Sequence, residues 1–97
     1  MPTYIVLGKL TDQGAKNIRD LPQQMEQNRA AGEKIGLKRV GWYMTQGAYD
    51  IVVVVEAPDD ETMAAQVLGV AGRGNTHTET LRAFTPEETK AIIQKLG

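Results

Sequence analysis

Thr45-Gln46-Gly47-Ala48-Tyr49-Asp50 runs directly into Ile51-Val52-Val53-Val54-Val55. The first six residues predict a tight hairpin turn and the last five a strand. Side chains on a strand alternate between the two faces of a sheet, so five consecutive branched apolar residues need cover on both faces. This stretch is therefore expected in the middle of a sheet. A second run of the same kind, Thr3 to Leu10, opens the chain and predicts a second buried strand.

Between and beyond these two strands, helix and strand signals alternate. Thr11-Asp12 offers an N-cap, and Asp20-Leu21-Pro22 a second helix start with proline in the first turn. Ala15, Ile18, Leu21, Met25 and Ile35 form an apolar stripe that Pro22 divides or bends, and Gly36 ends it. Leu37 to Gln46 is the next strand, with Gly47-Ala48 as the turn and Tyr49 to Glu56 as the return. Pro58-Asp59-Asp60-Glu61 begins a helix with buried positions Met63, Ala64, Val67 and Leu68, which Gly69, Gly72 and Gly74 end. Asn75 to Phe84 is the last strand. Thr85-Pro86-Glu87-Glu88 is a capping box opening a terminal helix, Pro86–Leu96.

The order β-α-β-β-α-β-α is that of an α+β, ferredoxin-like sandwich (βαββαβ with a C-terminal helix) within a single domain, residues 1–97. Right-handed crossovers place both crossover helices on one face and the first and third strands in the centre. Those are the two strands without alternation, so the second face also needs a cover. The terminal helix offers only Ile92, Ile93 and Leu96, too few to shield four strands. Sheet-on-sheet pairing with a second copy covers that face fully. A homodimer, or a higher oligomer built from it, is expected.

Composition narrows the classes of function. The 97 residues carry a net charge of −1 without a long basic run, against a nucleic-acid footprint. The chain has no cysteine, which excludes disulfides, thiolate nucleophiles and cysteine-ligated metals. No segment approaches the ~20 apolar residues of a membrane span. A cytoplasmic protein is the expectation.

Thr45 and Gly47-Ala48-Tyr49-Asp50, the strand Ile51–Val55 and Glu56-Ala57-Pro58-Asp59 together resemble the GYD domain family, named for this hairpin's glycine, tyrosine and aspartate. The likeness extends to Tyr4-Ile5-Val6-Leu7, to Thr11 and Gly14, and to Gly74-Asn75 and Thr80–Thr85. It implies a dimeric α+β barrel in which two ferredoxin-like sheets face each other. It brings no catalytic residues with it. Fold relatives include cofactor-free monooxygenases, muconolactone isomerase-like enzymes, haem-dependent enzymes and ligand-sensing domains, among which fold alone does not choose.

A two-residue turn places Thr45 opposite Asp50, Tyr43 opposite Val52 and Trp42 opposite Val53. Val40, Trp42, Met44, Ile51, Val53 and Val55, with Tyr49 at the end of the set, then face the helices, and Arg39, Gly41, Tyr43, Thr45, Asp50, Val52 and Val54 the other side. The assignment depends on turn length. Asp50 is a candidate base or ligand anchor, weighed against a local hydrogen bond across the hairpin. His77, the single histidine, shares a strand face with Glu79 and is a candidate general base; as a metal site it lacks further histidines. A ligand pocket between sheet and helices is expected to be lined by Trp42, Tyr43, Tyr49, Gln24 and Asn28, and Arg82 is a candidate partner for a ligand carboxylate. Met44 and Met63 are expected in the core. Gly69, Gly72 and Gly74 around Arg73 follow a helix rather than a strand, against a phosphate loop.

The predicted function is a homodimeric small-molecule-binding protein without cofactor or metal. The alternatives are a cofactor-independent monooxygenase or isomerase-type enzyme, and a structural or regulatory oligomer.

Overall fold

The computed structural model describes residues 1–97. Four antiparallel strands, β1 (Thr3–Leu10), β2 (Lys38–Met44), β3 (Ile51–Glu56) and β4 (Thr76–Ala83), form one sheet in the order β2-β3-β1-β4. The two unalternated strands are thus its centre. The helices are α1 (Asp12–Lys16), α2 (Leu21–Lys34), α3 (Asp60–Ala71) and α4 (Pro86–Gln94). The fold is ferredoxin-like. No helix is long and apolar enough to cross a membrane.

Local chemistry explains the element boundaries. The first crossover breaks into two helices: Thr11 caps α1 through the Gly14 N–H, and a 3-10 turn, Ile18–Asp20, feeds α2 with Pro22 in its first turn. Asp20 makes no side-chain cap. Asp59 caps α3 by accepting from the Thr62 N–H at 2.8 Å. Gly69 lies inside α3 rather than ending it, and Gly72 is the C-cap. Thr85 and Glu88 form both halves of a capping box at α4.

One face of the sheet carries α2 and α3. The core there is Tyr4, Leu37, Val55, Ala57 and Met63, with Val6, Val53 and Val67 packed against it. The Tyr4 hydroxyl donates to the Asp60 carboxylate, tying β1 to the first turn of α3. This core is small: nine residues of the chain are buried. Met63 is among them, but Met44 is 69% exposed, so the expectation of two core methionines holds for one. Leu68 is also exposed rather than part of the α3 stripe.

The other face has no layer over it. Ile5 and Leu7 of β1 stand there beside Val54 and Val52 of β3, with Leu81 of β4 and Tyr43 of β2 flanking them. Leu81 is 46% and Tyr43 60% exposed. α4 does not fold back across this face. It projects, with Ile92, Ile93 and Leu96 exposed, and the chain measures 52 × 31 × 18 Å. Its radius of gyration is 14.6 Å, against about 12–13 Å for a compact chain of this length.

The hairpin register is the expected one at its turn end. Tyr43 pairs with Val52 and Trp42 with Val53, and the Thr45 N–H reaches the Asp50 carbonyl at 2.8 Å. Gly47 takes φ 113°, a conformation that favours glycine. At the other end the register shifts between Arg39 and Gly41: Val40 is a β-bulge. The extra residue rotates everything before it by one position. Arg39, expected on the open face, therefore pairs with Val55 and joins the helix face, while Val40 is 57% exposed.

Candidate functional site

A cleft of about 110 Å³ lies between the helix face of the sheet and the pair α2 and α3. It exists because the two helices bring little bulk to the sheet: α2 contributes amides where a tight core would need aliphatic side chains, and buries only Gly32. Val6, Val53, Met63 and Val67 form apolar walls, and Trp42 lines the cleft from β2.

The polar groups come mainly from three helical turns and the bulge. Gln24 and Asn28 are one turn apart on α2 and both line the cleft. The Asn28 side-chain oxygen accepts from Arg73, and its carbonyl accepts from Gln66 Nε2 at 2.9 Å. These bonds hold α2 to α3 and to the turn after it. Arg29 is already committed, bridging Glu26 and Glu33 along its own helix, and those carboxylates make it more basic.

Arg39 differs. It donates to the Met25 carbonyl at 3.0 Å and forms no ion pair. Burial pulls its guanidinium below the usual range, and the Arg29 charge acts in the same direction, against Glu26. Arg29, Arg39 and Arg73 are the only ionisable side chains among the 22 residues lining the cleft. Arg39 was not among the residues the sequence singled out. Reading the strand as regular places it on the wrong side, and nothing in Lys38-Arg39-Val40-Gly41 marks a bulge except the glycine, a frequent companion of one.

Of the sequence-predicted residues, the cleft brings together Gln24, Asn28 and Trp42. Tyr43 does not line it; its ring lies on the open face against Gly41. Nor does Tyr49, whose hydroxyl donates to Glu79 Oε2 at 3.0 Å, a bond that pushes the phenol pKa up. Glu79 is thus engaged by Tyr49, while His77 stands exposed at the same face. The Asp50 carboxylate accepts the Leu10 N–H at 2.8 Å, and the Asp50 N–H donates to the Gly8 carbonyl. The Thr45 hydroxyl donates to the Tyr49 carbonyl. Tyr49 and Asp50 therefore pin the hairpin loop to the middle of β4 and the end of β1. Arg82 lies away from the cleft, its guanidinium 4.6 Å from the Phe84 ring centre and 5.6 Å from that of Tyr4. No group of three or more His, Cys, Asp or Glu side chains is placed to hold a metal ion.

The chain's likenesses fit this architecture. Among solved structures, MtbAldR aligns with a TM-score of 0.67 at 18% identity over 87% of this chain, which spans about half (52%) of that protein. TTHA0845 from Thermus thermophilus aligns with a TM-score of 0.56 at 24% identity, covering 88% of this chain and 95% of that one. Identities this low speak to fold alone. A curated protein of Thermus thermophilus, "Glutamine synthetase and cystathionine beta-lyase binding protein", is 42% identical over 85 residues, covering 87% of this chain and 90% of its own. The GYD domain model matches residues 4–93, which include the hairpin anchored by Tyr49 and Asp50 and all four strands apart from Thr3; the chain belongs to the GYD domain family.

Proposed function

We propose that this protein is a homodimeric regulatory module of the cytoplasm that binds enzymes of amino-acid metabolism, with a small molecule held in the cleft. The observation that carries the reading is the 42% identity, over nearly the full length of both chains, to a protein named for binding glutamine synthetase and cystathionine β-lyase. The geometry is consistent with binding rather than proton transfer. The cleft lining includes no Asp, Glu, His, Lys or Tyr, the residue types that move protons near neutral pH. Gln24, Asn28 and Trp42 are the proposed ligand contacts.

Dimerisation is supported by the uncovered sheet face. Ile5, Leu7, Val52, Val54 and Leu81 form a contiguous apolar surface, and a second sheet laid against it would complete an α+β barrel. Each aliphatic side chain removed from water contributes about 1.5–3 kcal/mol. In such a dimer the projecting α4 gains a surface for Ile92 and Ile93. The cleft lies on the opposite side of the sheet and stays accessible.

The test uses the purified full chain with purified glutamine synthetase and cystathionine β-lyase from the same organism. Light scattering is expected to give twice the 10.6 kDa chain mass. Calorimetric titration is expected to show saturable binding to at least one enzyme, with a change in that enzyme's rate. A monomer at micromolar concentration would remove the barrel, and no binding to either enzyme would remove the regulatory reading.

A further inference from the structure

We infer that the cleft between β2, β3, α2 and α3 is a site for a short-chain carboxylate or 2-oxo acid, with Arg39 as the anion-binding residue and Trp42 beside the ligand's apolar body. This deepens the small-molecule reading above and is independent of the enzyme-binding part.

Three observations converge on that ligand class. The first is charge. The ionisable side chains lining the cleft are three arginines, and no carboxylate accompanies them there. Arg29 is neutralised by Glu26 and Glu33, and Arg73 is turned toward Asn28. Arg39 alone is half-buried with no carboxylate within ion-pair distance, Glu26 acting on it only from farther off, and its one side-chain bond goes to a backbone carbonyl. A guanidinium has five N–H donors in a planar fork matched to a carboxylate, so most of its capacity is unspent. Holding an unpaired cation partly out of water is unfavourable, and an arriving anion relieves it.

The second is size. A dry 150 Å³ cavity is known to accept benzene, so one of about 110 Å³ encloses about five non-hydrogen atoms, enough for the carbon skeleton of a small acid but not for its carboxylate oxygens as well, which must reach beyond that volume. That suits a four- or five-carbon acid whose carboxylate sits near Arg39 and whose alkyl end meets Val6, Val53 and Met63. The third is the absence of any carboxylate to pair with an ammonium. An α-amino acid would bring its positive group into a site already lined by arginines, with no Asp or Glu to receive it. The amides of Gln24 and Asn28 can instead donate to a 2-oxo or hydroxyl oxygen. The β-bulge at Val40 is what makes the site: without the extra residue, Arg39 would face the opposite side of the sheet.

The experiment is a calorimetric titration of the full-length protein with isovalerate, 3-methyl-2-oxobutanoate, neutral isovaleramide and valine, at fixed ionic strength. Saturable binding of one or both acids is expected, at least about tenfold tighter than isovaleramide or valine, with loss of about tenfold or more in R39Q. In the unmodified protein, nitrogen-15 NMR is expected to show the Trp42 indole and Arg39 Nε signals shifting on titration with the acids, a readout that does not depend on R39Q folding. Binding of isovaleramide as tight as that of isovalerate would overturn the anion assignment while leaving the cleft as a ligand site. Acid binding unchanged in a folded R39Q, or shifts confined to residues outside the cleft, would overturn the role of Arg39. Valine binding as tightly as the acids would overturn the exclusion of an ammonium. If none of the four compounds binds, both this inference and the small-molecule reading fall.

Discussion

Alanine at Gly14 and alanine at Gly69 are expected to shift stability in opposite directions, although both glycines are helical. In an ordinary helix interior, glycine to alanine stabilises by about 0.5–1 kcal/mol, because the unfolded chain loses freedom it would otherwise regain. Gly69 in α3 meets that condition: a Cβ built there touches nothing within 4 Å. At Gly14 in α1 the same atom would stand 2.1 Å from the Asn75 carbonyl oxygen and 3.0 Å from its carbon. Ordinary non-bonded separations are about 3.5–4.0 Å, so α1 and the backbone entering β4 must part by about 1 Å or more. Four hydrogen bonds cross that junction: Thr11 N–H to Asn75 O at 3.1 Å, Thr11 Oγ1 to Gly74 O at 2.7 Å, and Gln13 Nε2 to Arg73 O and Asn75 Oδ1, each at 3.0 Å. Each contributes about 0.5–1.5 kcal/mol, and water can replace part of the loss at this exposed site. Set against the helix gain, G14A should cost about 1.5–3 kcal/mol and lower Tm by about 8–16 °C, while G69A raises it by a few degrees. Urea unfolding at one fixed protein concentration, where any association contributes equally, gives both differences from the midpoints. If G14A matches or exceeds the parent in stability, the close approach of α1 to β4 is wrong.

Other consequences are independent of that junction. Leu7→Asp puts a charge on the open sheet face and should leave a folded monomer; an unchanged dimer mass by light scattering would contradict the proposed interface. Met63 is 3% exposed in the small core, so Met63→Ala should destabilise by about 2–3 kcal/mol in denaturant, and a loss under about 1 kcal/mol would mean the core collapses around the gap. Thr85→Ala removes half of the α4 capping box and should cost about 1 kcal/mol of helix stability, read as reduced amide protection confined to Pro86–Gln94; protection equal to the parent's would refute the cap. Asp59 and Glu88 are held below their ordinary values of 3.8 and 4.5, chiefly by hydrogen bonds from Thr62 and Thr85. Depressed folded-state values add stability above about pH 4.5 that is lost as pH falls through them, so D59N/E88Q should flatten the decline of Tm between about pH 5 and 3; an equally steep decline would sink that account.

The fold was legible because its signals are redundant. Ile51–Val55 and Thr3–Leu10 could only be central strands, and the caps at Thr11, Asp59 and Thr85 each mark a helix start by the same side-chain chemistry. Boundaries are less secure where one residue type serves two ends. Glycine stops helices and also sits inside them, so the sequence suggests a terminus at Gly69 where α3 in fact continues to Ala71. Met44 and Leu68 are apolar where their elements suggest a buried stripe, yet both are exposed: Met44 is the last residue of β2, and Leu68 lies off the side of α3 whose Met63, Val67 and Val70 line the cleft.

The candidate site was harder to read, for a geometric reason. Gln24, Asn28 and Trp42 were recognisable because a helix turn and a regular pairing next to the hairpin fix their directions. Tyr49 and Asp50 carry the most recognisable letters of the chain, and their bonds to Glu79 and Leu10 hold the loop in place. Conspicuous polar residues in a turn can serve the backbone groups that the turn leaves unpaired. Arg39 was hidden by a single inserted residue, since strand parity propagates any bulge to every position before it. The same parity makes the assignment easy to attack. Deleting Val40 would restore a regular ladder, return Arg39 to the open face and take its charge out of the cleft. A bulge thus decides which face of an otherwise ordinary edge strand carries the cation.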